Sequence, residues 1–218
     1  MAKVANKETQ RRLELIKRLN LAYPGTARDL CALQFKAPFQ LLVATILSAQ
    51  CTDERVNATT PKLFESFGTP REMVMATQEE LEKLIYSTGF YKNKARNILA
   101  LSEVLLSDFD GEVPDSMEAL SALPGVGRKT ANVVLSVAFS KPGLPVDTHV
   151  LRLSKRLGLT SEKDPVKVER DLMHWVPPDE AGGLSLRLIL HGRKVCLARK
   201  PRCEICALAD ICPSASGT

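Results

Sequence analysis

Apolar residues recur at helical spacing along most of the chain, and strand-like alternation is almost absent. The segment RRLELIKRL places Leu13, Ile16 and Leu19 on one predicted helix face, and NKARNILALSEVLLSDF repeats this pattern over a longer stretch. Two further segments, TANVVLSVAF and LRLILHG, are apolar enough to form core helices. The Val-rich run NVVLSV could form a strand in isolation, but no partner strand is predicted beside it. The pattern therefore predicts an all-α protein.

Gly, Pro and capping residues mark the predicted helix ends. Thr77 with Glu80 fits a capping box, and Asp164 followed by Pro165 fits an N-cap and a first helical residue. The longest apolar run, FQLLVATILSA, is far shorter than the roughly 20 residues needed to cross a bilayer. The N-terminus also lacks an apolar signal segment. We therefore expect a cytoplasmic protein with no membrane partner, built from a central helical block and a C-terminal piece anchored around cysteines.

Composition adds information once the charges are placed along the chain. The 218 residues carry a formal net charge of +5, and 44% of them are hydrophobic, which is ordinary for a folded protein. Between Ser121 and Thr160 there are six Lys or Arg and one acidic residue, and RLILHGRKVCLARKPR has six Lys or Arg and no acid. Such clusters are typical of a solvated basic face or of a surface that binds a polyanion.

Four of the six cysteines lie close together near the C-terminus, with the spacing C-x6-C-x2-C-x5-C. They are Cys196, Cys203, Cys206 and Cys212. In a cytoplasmic protein such a group indicates metal ligands rather than disulfides. Four thiolates suit tetrahedral zinc or an iron–sulfur cluster, and their enclosure in one compact loop favours the cluster. Cys31 and Cys51 lie in apolar helical surroundings and are expected to be small core residues.

The segment ALPGVGRKTANVV joins two predicted helices through a tight Pro-Gly-Val-Gly turn. A Walker phosphate loop needs glycine directly before the lysine, but Arg128 stands in that position and no strand leads into the turn. A Rossmann fingerprint also fails, for want of a strand and a third glycine. The N–H groups of Gly125 and Gly127, with the start of the next helix, could instead bind an anion such as a nucleic-acid phosphate. A plain helix–helix turn is the alternative.

Lys129 lies in the first turn of the second helix of this hairpin. The positive end of the helix dipole and the adjacent Arg128 both disfavour its cation, so they favour the neutral, nucleophilic amine. An ordinary surface lysine is the alternative. Further along, Asp147 in LPVDTHV fits the N-cap of another helix. If the fold brings Asp147 to the hairpin, its carboxylate could also move protons or stabilise positive charge on a sugar.

Taken together, these motifs resemble the endonuclease III family, the bifunctional DNA glycosylase/AP lyases of the helix-hairpin-helix superfamily. The resemblance rests on LPGVGRKTANVV, VDTHV, LSAQCTD, HGRKVC and the four-cysteine loop, and it runs from RLELIKRL to Cys212. It implies a helix-hairpin-helix glycosylase fold, with a six-helix barrel domain at residues 31–141. A [4Fe-4S] cluster domain would comprise residues 1–30 and 142–218, with a DNA-binding cleft between the two domains.

The resemblance also implies roles for single residues. Lys129 corresponds to the nucleophilic lysine, Asp147 to the catalytic aspartate, and the four cysteines to the cluster ligands. The DNA-binding positions are the phosphate-gripping turn Gly125, Val126 and Gly127, with the basic Arg128 beside it, and the side chains Gln50 and Phe90.

Gln50 and Phe90 would enter the duplex itself. Gln50, in LSAQ, corresponds to a residue that fills the gap left by the extruded nucleotide. Phe90 stands where the family carries an apolar wedge, often Leu; a loop aromatic packed on the core is the alternative.

The expected activity is removal of oxidised pyrimidines from DNA, followed by strand cleavage through a lysine Schiff base and β-elimination. The expected partner is double-stranded DNA with damaged pyrimidines or abasic sites, and the protein is expected to be a monomer. The alternatives are a monofunctional adenine glycosylase of the same superfamily and a non-catalytic DNA-binding iron–sulfur module. The adenine enzymes typically lack a lysine at the position of Lys129. The three histidines are too scattered for a hydrolytic metal site, although His149 could support Asp147.

Overall fold

The computed structural model describes residues 2–215, and the side chains of residues 7–215. Within this range the chain is helical and contains no strand, so the all-α prediction is confirmed. The α-helices are α1 (Ala2–Ala22), α2 (Ala27–Leu30), α3 (Pro38–Leu47), α4 (Asp53–Phe67), α5 (Pro70–Met73), α6 (Gln78–Ile85), α7 (Tyr91–Asp108), α8 (Met117–Ala122), α9 (Arg128–Ala138), α10 (Thr148–Arg156), α11 (Pro165–Met173) and α12 (Ala181–Lys194). Short 3-10 helices lie at Tyr86–Thr88, Pro178–Glu180, Cys203–Ile205 and Ala209–Ile211.

The chain forms two compact units, each with its own hydrophobic core. One unit is continuous, Cys31–Ser140, and contains α3 to α9. The other combines the chain up to Leu30 with the chain from Lys141 onward, so that α1 and α2 pack with α10, α11 and α12.

The core of the continuous unit is organised around α3. Most of this helix is apolar on all sides, and its buried residues are Phe39, Leu41, Leu42, Val43, Ala44, Ile46 and Leu47. It contacts α4, α7 and α9. Because α3 is enclosed by its neighbours, its polar carboxyl-terminal end needs partners from other elements.

The core of the discontinuous unit is built from α1, α10, α11 and α12. On α1 the buried positions are Leu15, Ile16 and Leu19, whereas Leu13 is 51% exposed. The predicted face of α1 is therefore wrong at Leu13, because the helix turns its Leu15 side toward α12 and the rest of the core. At Gly192 in α12, a Cβ atom would lie 2.8 Å from Nδ1 of His149, so glycine permits the close approach of α10.

Capping side chains fix several helix starts. The predicted capping box at Thr77 and Glu80 is confirmed, and Thr69 with Glu72 forms a second one at α5. Asp164 accepts hydrogen bonds from two main-chain N–H groups and caps α11, as predicted. Each such cap contributes about 1 kcal/mol. No helix within residues 2–215 is long and apolar enough to cross a membrane.

Candidate nucleic-acid interface and cysteine site

The hairpin between α8 and α9 forms as the sequence predicts. The turn residues Pro124–Gly127 separate the two helices, and Gly125 adopts a left-handed conformation with φ of +74°. The N–H of Val126 donates to the carbonyl of Leu123 at 3.1 Å, and the Val126 side chain is 5% exposed and packs in the core. Val126 therefore anchors the turn from inside, and only its backbone lies near the surface.

The two glycines of the turn differ in what the chain requires of them. At Gly125 a Cβ atom would lie 2.8 Å from Cβ of Asn97, and the positive φ adds strain, so only glycine fits. At Gly127 the φ angle is an ordinary −90°, and a Cβ atom would meet nothing within 4 Å. Nothing inside the described part of the protein therefore requires glycine at position 127, which leaves room for a molecule that approaches from outside.

The same turn offers hydrogen-bond donors. Within residues 2–215, no acceptor is found for the N–H groups of Gly125 and Gly127. Gly127 is the N-cap of α9, and the first turn of α9 contains no acidic side chain. Unpaired N–H groups at the positive end of a helix are suited to bind an anionic oxygen.

Arg128 and Lys129 occupy the first two positions of α9, and both side chains are exposed. Arg128 already has an interaction within the protein. Lys129 thus stands directly beside the turn, and its side chain is exposed.

A cavity of about 200 Å³ adjoins the hairpin in the same unit. Its lining residues are Thr45, Ile46, Ala49, Gln50, Phe90, Asn93, Lys94, Asn97, Gly125 and Thr130. Gln50 and Phe90 are exposed, and both have positive φ angles, 53° and 48°. The Phe90 ring is 65% exposed, so the alternative in which it packs on the core is wrong. The fold thus places both candidate inserting side chains at one cavity, together with Gly125.

Asp147 is the N-cap of α10. Its Oδ1 accepts hydrogen bonds from the N–H of His149 at 2.8 Å and from the N–H of Val150 at 2.9 Å. Within the described residues no hydrogen bond reaches Oδ2. The imidazole Nδ1 of His149 lies 3.1 Å from Arg152, and burial lowers the pKa of His149, an effect that Arg152 and Arg193 reinforce and Asp147 opposes. The hydrogen bond that His149 donates to Asp147 therefore comes from its main chain, whereas the ring nitrogen contacts Arg152.

The four C-terminal cysteines line one largely apolar cavity of about 190 Å³. No group of three or more Cys, His, Asp or Glu side chains in the described chain is arranged to hold a single metal ion. Burial raises the pKa of the Cys206 thiol, and the thiols of Cys196, Cys212 and Cys203 raise it further, while a main-chain hydrogen bond from Leu208 lowers it. Four thiols that line one apolar cavity, and that become thiolates when they bind metal, are suited to a cationic metal cluster.

Residues that the sequence analysis did not single out surround these thiols. The Arg156 guanidinium donates to Sγ of Cys196 at 3.3 Å and to the carbonyl of Leu197 at 2.7 Å. The ring of His191, 4% exposed, joins Sγ of Cys206 at 3.3 Å to the hydroxyl of Tyr23 at 3.1 Å. The histidine is thus a buried neighbour of the thiols, and burial lowers its pKa. A signal for it was present, since HGRKVC places His191 five residues before the first cysteine of the loop.

Some arginines of the two basic segments form hydrogen bonds within the protein. Arg152 donates to the carbonyls of Gly192 and Cys196, both at 3.1 Å. Arg187 is 6% exposed and donates to the carbonyls of Tyr23 and Gly25. These arginines therefore stabilise the fold, and the exposed basic residues of the cysteine loop, such as Arg199 and Lys200, remain for an anionic partner.

Known proteins match the chain over both regions. A family model described as the HhH-GPD superfamily base excision DNA repair protein matches residues 43–178, more than half of the chain, and includes the hairpin and Asp147. The iron–sulfur binding domain of endonuclease III matches residues 196–212, which run from the first to the last cysteine of the loop.

Whole-length relatives agree. Endonuclease III of Synechocystis sp. is 51% identical, over 100% of this chain and 98% of the relative. The structure of a non-covalent endonuclease III–DNA complex matches with a TM-score of 0.87 and 43% identity, over 95% of this chain and 96% of that one. A trapped endonuclease III–DNA covalent intermediate matches with the same values.

The hairpin fold and its domain match define an HhH-GPD base excision DNA repair protein. Within that superfamily the chain belongs to the endonuclease III family. The predicted family, the helix-hairpin-helix glycosylase fold and the iron–sulfur cofactor, a [4Fe-4S] cluster, are thereby confirmed.

Proposed function

We infer that the protein is a bifunctional DNA glycosylase and AP lyase, which removes oxidised pyrimidines from duplex DNA and cleaves the strand by β-elimination. The observation that carries this inference is the exposed Lys129 beside the anion-binding turn of the hairpin, in a chain that matches a trapped endonuclease III–DNA covalent intermediate over 95% of its length. A covalent intermediate requires a nucleophile, and the hairpin of this chain presents one.

The hairpin would hold one phosphate of the DNA backbone. The N–H groups of Gly125 and Gly127 are available as donors, the open space at Gly127 allows close approach, and the exposed Arg128 adds positive charge. Such a contact positions DNA without selecting its sequence.

Lys129 would then act on the sugar next to that phosphate. Its neutral amine attacks C1′, a C–N bond forms, and the bond between C1′ and the damaged base breaks with the electron pair leaving on the base. The nitrogen then loses a proton, and the C1′–O4′ bond breaks as O4′ takes up a proton, which opens the sugar ring and gives the Schiff base. Removal of a proton from C2′ then breaks the C3′–O bond, which cuts the strand on the 3′ side of the lesion. We assign to Asp147, whose Oδ2 is available, the activation of the lysine or the stabilisation of the sugar cation.

Extrusion of the damaged nucleotide requires that its place in the duplex be filled. Gln50 and the exposed Phe90 ring at the 200 Å³ cavity are suited to this role, because both side chains project from loops that lie next to the hairpin. The energy needed to unstack a base is smallest for damaged or mismatched nucleotides.

Cys196, Cys203, Cys206 and Cys212 would hold the [4Fe-4S] cluster. We propose that the bound cluster organises the loop whose exposed Arg and Lys side chains contact phosphates, with no redox step in base excision. The protein would act as a monomer in the cytoplasm, with the barrel domain at residues 31–141 and the cluster domain in the rest of the chain.

Lys129→Gln is the decisive variant. Duplexes carrying thymine glycol or an abasic site are incubated with wild type, with Lys129→Gln and with Lys83→Gln, an exposed lysine on α6 of the same unit. We expect wild type and Lys83→Gln to cleave both duplexes and to form a covalent adduct on the abasic site when borohydride is present. Lys129→Gln should lose cleavage by a factor of about 10³ or more and should form no adduct.

Two outcomes favour other activities. Excision of adenine without adduct formation by wild type would indicate a monofunctional glycosylase. Binding without cleavage, unchanged in Lys129→Gln, would indicate a non-catalytic DNA-binding module.

A further inference from the structure

Lys94 is the one lysine among residues 7–215 whose side chain is buried, at 5% exposure. It occupies the first turn of α7, on the same face as the buried Ile98 and Leu101. Burial disfavours the ammonium ion and lowers the pKa of Lys94, although the nearby Cys51 raises it. The amino-terminal end of a helix also disfavours a cation. A lysine kept in this position therefore needs specific partners.

Those partners are two main-chain carbonyls. Nζ donates to the carbonyl of Leu47 at 2.8 Å and to the carbonyl of Thr88 at 2.9 Å. Leu47 is the last residue of α3, and Thr88 is the last residue of the 3-10 helix Tyr86–Thr88. Carbonyls at helix ends lack intrahelical donors and carry the negative end of the dipole, so one ammonium satisfies both ends.

Each of these carbonyls lies two or three residues before a candidate inserting residue. Gln50 follows Leu47 by three positions, and Phe90 follows Thr88 by two. Both have left-handed backbones, with φ of 53° and 48°, which persist only where the surrounding structure holds them. Lys94 lines the same cavity as these two side chains. One buried cation thus links the starts of the two loops.

We propose that Lys94 is a positioning residue for lesion recognition, which holds the loops of Gln50 and Phe90 at a fixed separation so that both side chains enter the duplex together. The proposal rests on the proposed function. It predicts that Lys94 acts on damaged bases, which must be extruded from the stack, more than on abasic sites, which have no base to unstack.

The first test compares two substrates. Lys94→Met keeps an unbranched side chain of similar length and removes the donors. Lys92→Met is the matched control, because Lys92 is exposed in the same helical turn. In single-turnover assays we expect Lys94→Met to cleave a thymine glycol duplex roughly 10- to 100-fold more slowly, and an abasic-site duplex less than about threefold more slowly. Lys92→Met should affect both substrates alike. Equal losses of Lys94→Met on both substrates, or no loss, would overturn the proposal.

The second test measures insertion separately from cleavage. A 2-aminopurine opposite the lesion changes its fluorescence when its neighbours leave the stack, and Lys94→Met should reduce this change while Lys92→Met should not. If Lys94 acts through Gln50, the thymine glycol rate of the double variant Lys94→Met, Gln50→Ala should be close to that of the slower single variant. Additive losses would contradict the proposal.

Two further variants separate positioning from general stability. Lys94→Arg keeps the cation and its donors and should return thymine glycol cleavage to within about threefold of wild type. If Lys94→Met does not fold, as judged by circular dichroism, Lys94→Gln takes its place, because its amide is shorter than the lysine side chain and carries no positive charge. Lys94→Gln should also cleave the thymine glycol duplex much more slowly while it cleaves the abasic-site duplex nearly as fast as wild type. Equal effects on the two substrates would overturn the proposal. Failure of wild type to cleave either duplex would instead refute the proposed function.

Discussion

At the scale of single residues, the two glycines of the hairpin, Gly125 and Gly127, have different surroundings within the protein. Gly125 is required by the protein itself, because of its positive φ and the nearby Asn97 side chain. Gly127 has an ordinary backbone and open space around it, so we attribute glycine at this position to the proposed approach of a phosphate. The sequence shows the same residue type at both positions, and only the structure separates the two roles.

Gly127→Ala should therefore reduce DNA binding without loss of stability. The added methyl group meets no protein atom, and alanine restricts the unfolded chain, so the free energy of unfolding should stay within about 1 kcal/mol of wild type. The methyl group would stand where the phosphate approaches, and affinity for an abasic-site duplex should fall at least about tenfold. Thermal unfolding measures the stability, and fluorescence anisotropy measures the affinity for DNA. Unchanged affinity would count against the phosphate contact.

Gly125→Ala, in contrast, is expected to reduce the stability of the protein. Its Cβ atom would overlap Asn97 and the left-handed backbone would be strained, so unfolding should become easier by about 1–3 kcal/mol. Chemical denaturation measures this loss. Relative to Asn97→Gly alone, the double variant Gly125→Ala, Asn97→Gly should lose less stability than Gly125→Ala loses relative to wild type, because the overlap with the Asn97 side chain is removed. Equal losses in the two backgrounds would show that the overlap with Asn97 is not a cause.

At the scale of elements, Asp147 is both the N-cap of α10 and the proposed catalytic carboxylate. The first role needs only an oxygen that accepts the N–H groups of His149 and Val150. The second needs the negative charge. Because asparagine caps helices as well as aspartate does, the two roles can be separated by substitution.

Asp147→Asn should keep the stability of wild type to within about 0.5 kcal/mol, since its amide oxygen can accept the same hydrogen bonds. Its strand-cleavage rate should fall by about a factor of 100 or more. Asp147→Ala should lose activity to a similar degree and also about 1 kcal/mol of stability, because α10 loses its cap. Urea denaturation and single-turnover cleavage distinguish the cases. An Asp147→Asn protein that cleaves at the wild-type rate would restrict Asp147 to capping.

At the scale of the whole molecule, the cysteine loop differs from the two hydrophobic cores. Within residues 196–212 only Leu208 is buried, and the loop contains two 3-10 helices of three residues each. Its other supports are side chains that reach it from α1 and α10, such as Arg18 to the carbonyl of Ala207 and Arg156 to Cys196. A segment with so little buried apolar surface depends on its metal for order.

Loss of the cluster should therefore unfold the loop and leave the continuous unit intact. In Cys206→Ala we expect hydrogen exchange to become fast over residues 195–212 and to remain slow in α3, α7 and α9, whose core is separate. DNA affinity should fall at least about tenfold, with a weaker salt dependence. Cys31→Ala, which alters a partly buried cysteine outside the loop, should retain slow hydrogen exchange in the loop and the DNA affinity of wild type. Full affinity in the cluster-free protein would contradict the role given to the loop.

Much of the fold follows from local pattern. The hairpin lies where the sequence places it, the caps at Thr77 and Asp164 form as predicted, and the Val-rich run of α9 is helical. Periodicity, capping side chains and turn residues act within one or two helical turns, so they can be recognised without knowledge of packing.

The sequence by itself determined the helical class, the hairpin, the cysteine spacing and the family. Only the tertiary structure decided which apolar side chains are buried: Val126 lies in the core, whereas Phe90 and Leu13 are exposed to solvent. It also brought Lys94 to two carbonyls from other elements and His191 to Cys206. The contacts of Lys94 with Leu47 and of His191 with Cys206 join residues 47 and 15 positions apart, and their free energy comes from the burial of polar groups against partners that local sequence does not specify.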